Sequence, residues 1–454
     1  MKSVKFLNSV VLFFTMQLFT ACIALPGGFV KVDKNITKCG DNPVSPLFTG
    51  DKIQNSDAKV NVPFGSKPHK YTEGIITPTG VTNEQMDKAV TSFYDHWKTT
   101  LIKKGCGEDR YYLSKGKGSD GITVSEAHGY GMIISALMAG YDKDAKKHFD
   151  GMYYYFREHP SNYSKDLMAW HQNRCCRDDE GADAATDGDI DIAYALLLAD
   201  KQWGSCGAIN YKKEALKVIK AIKEKELNSS GKYTLLGDWA TPDDNNNYYF
   251  ATRASDFITS EFRSFGEASG NITWRILVES IYTIIGKIQA DISPESGLLP
   301  DFILNPLSTP KPAPARFLED VNDGNYYYNS CRVPWRLGTD YLLHGDKRMK
   351  GYLQKINSWA IKSTGGNPEN IKAGYTMDGK PVAGSNYATM AFIAPFGVSA
   401  MADPSNQKWL DSLWNTISNF PPEDYYEDSI KLMTMIVMSQ NWWAPEKIKE
   451  VCNN

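Results

Sequence analysis

A basic excess is missing from this chain: 50 Lys+Arg stand against 53 Asp+Glu with no evident run of positive charge, so nothing supports a nucleic-acid partner. Long apolar runs are equally scarce. Beyond Leu18 no segment reaches the ~18 apolar residues of a spanning helix, which excludes a multi-span membrane protein. Metal-ligand spacing is absent too, since there is no Cys-x-x-Cys and the seven histidines never fall at i, i+4; neither a metal nor a cofactor is expected. No internal repeat is visible at the residue level. With 42% hydrophobic and 23% charged residues, the chain is neither disordered nor collagenous.

What the sequence has in quantity is aromatic surface, 12% of residues with 11 Trp and 25 Tyr. That excess needs a large core or a surface on which flat ligands stack. The N-terminus has the layout of an export signal. Two lysines in Met1–Lys5 precede a nearly apolar stretch from Phe6 to Leu18, and small residues around Ala21 and Ala24 offer a cleavage site. Residues 1–24 are therefore expected to be a secretory signal peptide and the mature protein to be extracellular; cleavage before Cys22 would instead leave it lipid-anchored. Seven cysteines remain after residue 24, an odd number for an oxidising compartment. At least one thiol should stay free, and the vicinal pair Cys175–Cys176 is expected to serve packing or disulfides rather than a metal.

Residues 25–80 are rich in Pro, Gly, Asn and Asp and read as an extended arm packed on the main body. Helical periodicity then dominates residues 81–454. Thr82 can cap a helix whose Met86, Val90, Phe93, Trp97 and Leu101 form one apolar stripe. Comparable stretches lie near 125–139, 143–157, 187–203, 210–226, 254–266, 272–290, 333–343, 347–362, 386–400, 406–418 and 426–440. Twelve helices suit a closed ring of six inner and six outer members. Three long connections, 158–186, 228–253 and 291–331, offer places for function on a rigid scaffold, and the Pro-rich Ser308–Ala315 cannot be helix.

Carboxylates cluster at two expected helix starts. Asp187, Asp189 and Asp191 crowd the first turns of one, where capping alone would explain Asp189 and Asp191. Asp187 sits at the mouth, where an ionised carboxylate can bridge sugar hydroxyls. Ser125-Glu126-Ala127-His128-Gly129-Tyr130-Gly131-Met132 opens another helix with two glycines that cost helix stability and permit close approach of a neighbour.

These stretches carry a resemblance. Ala185-Thr186-Asp187-Gly188-Asp189, followed by Ile192–Ala199 and Trp203, resembles the signature of glycoside hydrolase family 8. The likeness continues in Ser125-Glu126 with Gly129-Tyr130-Gly131-Met132, in Gly237-Asp238-Trp239, in Arg253 with Ser255-Asp256-Phe257, in Gly297-Leu298-Leu299-Pro300-Asp301, and in Tyr328-Asn329-Ser330-Cys331-Arg332-Val333-Pro334-Trp335-Arg336. It implies an all-α (α/α)6 barrel and an inverting, endo-acting hydrolase of β-1,4-linked glycans that works as a monomer without a cofactor. Glu126 matches the family's general acid, Asp187 its sugar-binding carboxylate in the central subsite, and Arg332 an arginine beside the catalytic centre.

One position departs. Asn329 stands where many members place the catalytic base, and an amide takes no proton at neutral pH. A chitosanase-type subgroup resembles this chain in Tyr-Asn-Ser-Cys-Arg and carries its base as a Glu on the preceding inserted loop, which points to Glu319, with Asp320 as the fallback. The resemblance thus implies chitosan as substrate, with a β-1,4 or mixed-linkage glucan as the alternative and a catalytically inactive glycan-binding protein as a third reading. Trp170, Trp239 and Tyr328 are the expected sugar-stacking residues, with Phe420 a weaker one. The acidic loop residues Asp178, Asp179, Glu180, Asp243 and Asp244 could hold glucosaminium groups, although such loops are commonly just solvated. His128 is expected to be packed. Glu126 must stay protonated near neutral pH, which calls for burial or for the neighbouring charge of Asp187.

Overall fold

The computed structural model describes residues 59–116, 121–243 and 247–451. The expected signal peptide, Cys22, most of the expected arm and Asp244 lie outside them. Residues 59–81 form no helix or strand and run along the body, with Asn61, Phe64, Thr72 and Ile76 donating backbone N–H bonds to Gln202, Ala139, Leu342 and Met401.

Among the described residues, twelve α-helices alternate between two environments. Helices α2 (Ser125–Leu137), α4 (Thr186–Trp203), α8 (Val333–His344), α10 (Met390–Ala400) and α12 (Tyr425–Met438) are buried almost all round, and α6 (Thr259–Ser269) over its first two turns. Helices apolar on every side need protein on every side. They touch in sequence, α2 to α4, α4 to α6, α6 to α8, α8 to α10, α10 to α12, and α12 back to α2, closing a ring. Each outer helix buries one stripe against an inner one. These are α1 (Asn83–Leu101) on α12, α3 (Ala145–Glu158) on α2, α5 (Tyr211–Lys225) on α4, α7 (Thr273–Asp291) on α6, α9 (Lys347–Thr364) on α8 and α11 (Gln407–Asn419) on α10. The fold is an (α/α)6 barrel.

Local chemistry sets the ends. Thr82 and Gln85 form a reciprocal capping box at α1, and the buried stripe runs through Tyr94 rather than the expected Phe93, which is half-buried. Two helices start later than their periodicity suggests. Ala254 gives its N–H to Asp301 O, residues 254–256 form a 3-10 turn, and α6 begins at Thr259. Thr389 is extended, and Glu423 accepts the N–H of Met390 at 2.8 Å, capping α10 from another loop.

Short strand pairs brace the loops at one end of the ring. Strands β1 (Ile102–Lys104) and β2 (Tyr111–Leu113) pair antiparallel, β3 (Gly121–Val124) pairs antiparallel with β4 (His171–Asn173) and leads directly into α2, and β5 (Ala251–Arg253), β6 (Phe302–Leu304) and β7 (Lys311–Pro312), which lies within the Pro-rich loop, form a sheet. Among the described cysteines, Cys106 bonds to Cys176, Cys175 and Cys206 are also disulfide-bonded, and Cys331 is a buried free thiol. No helix among the described residues is long and apolar enough to cross a membrane.

Candidate active site

The first turns of α2, α4 and α12 and the loops beside them line a cleft of about 510 Å³ that includes Glu126, Asp187, Arg253, Glu319, Asn329, Arg332 and Tyr425. Its inner wall depends on two glycines. A Cβ on Gly188 would stand 2.3 Å from Ser125 Oγ and 2.7 Å from its carbonyl carbon, and one on Gly129 would stand 2.4 Å from Asp191 Cβ. Without side chains there, α2 and α4 meet almost backbone to backbone, and Glu126 and Asp187 come together at adjacent helix mouths.

Arg332, in the turn before α8, joins them. Its Nη1 donates to Glu126 Oε2 at 2.5 Å, to Asp187 Oδ2 at 2.8 Å and to Tyr130 OH at 3.2 Å, while Nη2 donates to Asn329 Oδ1 at 3.1 Å. Asn329 Nδ2 donates to Glu319 Oε2 at 2.7 Å. Arg253 completes a closed circuit, lying 3.4 Å from Glu319 Oε1 and 3.6 Å from Asp187 Oδ1. Glu126 and Glu319 thus face the same cleft with a guanidinium and an amide between them.

Their electrostatics differ. Burial, opposed by Arg332 and reinforced by Asp187, pushes Glu126 up to about 7. Both expected causes operate, burial being the larger. Burial also pushes Asp187 up, but Arg332 and then Arg253 overcome it and hold the carboxyl below its ordinary value. Glu319 is raised by desolvation against the pull of Arg253 and the Asn329 amide. With 39% of its side chain open to the cleft against 16% for Glu126, cleft water reaches Glu319 more freely, and the donated N–H selects its anion.

The Glu319 loop is fastened from below. Asp323 accepts the backbone N–H groups of Leu318, Glu319 and Asp320 at 2.7, 3.0 and 2.8 Å. Asp320 turns its carboxylate back onto Asn322 N and is not in the cleft lining, so the geometry favours Glu319 over the fallback. Asp301, at the end of the Gly297–Asp301 motif, is buried under Asn329; burial pushes it up to about 7 against hydrogen bonds from Ser330 and Asn329.

Trp170 and Trp239 are half-buried cleft residues, as stacking requires. Trp170 Nε1 donates to Glu180 O, and Trp239 packs edge-on against Tyr248, which continues to Phe317 in the Glu319 loop. Tyr328 is elsewhere. Its hydroxyl pairs with Tyr387 and its ring packs on Phe392 and Tyr426, outside the cleft lining. Phe420 is also outside, its carbonyl accepting from Lys431 Nζ. Of the acidic loop residues, Asp178 lies 2.8 Å from His159 Nδ1 and Asp179 against His171 Nδ1, so both are occupied by histidines. Glu180 reaches the cleft, Asp243 does not, and Asp183 lines it instead, pushed up to about 7 by burial and by Asp238. His128 stacks 4.8 Å from Tyr155, and burial pushes it down to about 3, the behaviour of a packed neutral imidazole.

Tyr425 was not singled out in the sequence, yet its hydroxyl donates to Glu126 Oε1 at 3.2 Å. It starts α12, almost three hundred positions away, and only ring closure could have revealed it. Among the described residues no cluster of three His, Cys, Asp or Glu could hold a metal ion.

A helical toroid with carboxylates and half-buried tryptophans in an open cleft defines a carbohydrate-active class of protein. The family follows from the sequence as a whole: residues 85–440 match Glycosyl hydrolases family 8, and the chain belongs to that family. It is 49% identical over 387 residues to a beta-glucanase from Niallia circulans, covering 85% of this chain and 92% of the relative. An endoglucanase from Bacillus sp. strain KSM-330 is 36% identical, with 94% of each chain covered. Among solved structures, a beta-1,3-1,4-glucanase from Paenibacillus sp. X4 is 48% identical with a TM-score of 0.82, covering 85% of this chain and all of the other. The protein is a glycoside hydrolase.

Proposed function

We propose that this glycoside hydrolase is an endo-acting, inverting β-glucanase cleaving β-1,4 bonds in cellulose-type or mixed-linkage glucan, rather than the chitosanase implied by the Tyr-Asn-Ser-Cys-Arg likeness. The observation that carries the mechanism is the pair Glu126 and Glu319, set apart across the cleft by Arg332 and Asn329. Inversion needs an acid to protonate the leaving oxygen and a base ~6.5–9.5 Å away to activate a water on the opposite face. Glu126, raised to about 7, is the acid. Glu319 is the base, reaching the role that Asn329 cannot fill, and Asp187, held ionised, binds sugar hydroxyls in the central subsite.

Two observations support glucan over chitosan. Similar proteins at 36% to 49% identity carry glucanase names. The acidic loop that a glucosaminium polymer would use has spent Asp178 and Asp179 on histidines. Export belongs to the same proposal, with residues 1–24 as the signal.

Reducing-end release from mixed-linkage β-glucan, cellulose and chitosan, by the parent, Glu126→Gln and Glu319→Gln, tests it. The parent should favour a glucan, and each variant should fall by about 10²–10⁴ while still binding. Preference for chitosan restores the other substrate, undiminished activity in Glu319→Gln removes the base assignment, and binding without cleavage by the parent makes the protein a glycan-binding one.

A further inference from the structure

Asp301 touches neither the cleft nor either of the two proposed reacting carboxylates, yet five hydrogen bonds converge on it. Its Oδ1 accepts from Tyr327 N at 2.9 Å, Ser330 N at 2.7 Å and Ser330 Oγ at 2.6 Å; its Oδ2 accepts from Asn329 N at 3.1 Å and from Asn329 Nδ2 at 3.3 Å. The last contact matters for chemistry. Asn329 Nδ2 has two protons, one aimed at Asp301 and the other at Glu319, while its Oδ1 is held by Arg332 Nη2. An amide can be turned over about its terminal bond with little change in shape, exchanging oxygen for nitrogen. Five donors converge on Asp301, so once ionised it is an acceptor-only group beneath the amide, and with the donor-only Arg332 beside it one orientation is left.

We propose that Asp301 is a positioning residue for the base: by accepting one Nδ2 proton of Asn329 it fixes the amide so that the other proton faces Glu319, keeping Glu319 ionised and aimed at the water. The proposal rests on the assignment of Glu319 as base. It also gives Asn329 a function in place of the one lost with an acidic side chain there.

The expected sign follows from the groups around Glu319. Arg253 on β5, Arg332 before α8 and the Asn329 amide favour its anion, while Asp323 in its own loop and Asp301 beneath oppose it. In Asp301→Asn the new amide sets a donor against the donors of Asn329. Arg332 still holds the Asn329 oxygen, so the amide does not turn over; the clash instead pushes Nδ2 out of place, and Glu319 loses the N–H it accepts at 2.7 Å. Loss of the Asp301 charge works the other way, but that charge lies behind Asn329, whereas the lost bond touches the carboxylate, so contact dominates.

The test is the pH dependence of kcat/KM on β-glucan for the parent, Asp301→Asn, Asn329→Ala, the double variant and Glu319→Gln, each with its melting temperature. Asp301→Asn should move the acidic limb up by about one pH unit, leave the basic limb in place, and lower the rate along the acidic limb about tenfold. Asn329→Ala should move the same limb, and the double variant should add nothing, since both remove one N–H. An acidic limb that stays put while activity and melting temperature fall, or additive shifts, would show that Asp301 only braces the turn and would overturn the proposal. Undiminished activity in Glu319→Gln would overturn the base assignment beneath it, a result the other variants cannot mimic.

Discussion

At Arg332 one guanidinium serves both proposed reacting groups through its two terminal nitrogens. Nη1 holds Glu126 and Asp187; Nη2 holds Asn329 and through it Glu319. Because Arg332 pulls the Glu126 pKa down against burial, Arg332→Gln should let it rise. An acid with a higher pKa stays protonated to higher pH, so the basic limb of kcat/KM moves up even as the maximal rate falls. Arg332→Lys keeps the charge without the planar fork, and should leave the basic limb near its place while the rate still drops by about tenfold or more. A basic limb unmoved in both variants would mean that a group other than Glu126 sets it.

The element that brings the acid to its place is the α2–α4 contact, and Gly188 is its critical position. A methyl group there meets the Ser125 backbone at 2.7 Å, where no side-chain rotation relieves the clash, so the two helices must part. Gly188→Ala should destabilise the fold by about 1–3 kcal/mol, the usual range for overpacking, and reduce activity beyond what the melting temperature explains, because Glu126 and Asp187 ride on the separated helices. An unchanged melting temperature would show that the helices part freely.

The twelve helices were legible because apolar periodicity persists over three or four turns in each, and ends were legible where the cap is local, as at Thr82. They were not legible where another segment supplies the cap. Glu423, from another loop, caps α10 at Met390, a start that the pattern placed earlier. Glu126, Asp187 and Arg332 could be named from motifs, whereas Tyr425 and the bracing of Asn329 by Asp301 depend on which helices close the ring. Tyr328 shows the reverse error: adjacency to Asn329 in sequence does not carry it into the cleft.

At the scale of the whole molecule, the barrel buries more carboxyls than its cleft uses. Asp189 and Glu226 lie fully buried behind the α4 mouth, and Asp191 and Glu261 share Arg336 deeper in. Burial raises the pKa of all four. Asp189 accepts from Met168 N at 2.9 Å, and Glu226 lies beside it, so the proton that burial favours is shared between the two carboxyls. A carboxyl whose folded pKa exceeds its unfolded value of about 4 stabilises the fold fully below that value, and the contribution is lost as pH rises through the folded value. The opposite holds for Asp142 and Asp346, held low by their partners, whose contribution is lost in acid. Stability should therefore peak in mildly acidic solution and decline on the alkaline side through the buried carboxyls. Glu226→Gln tests this, since an amide keeps a donor toward Asp189 at every pH. Melting temperatures from pH 5 to 10 should coincide with the parent's at the acidic end and exceed them increasingly toward the alkaline end. Parallel curves would place the alkaline loss in other groups, and a variant less stable throughout would show that Glu226 is held by packing rather than by its proton.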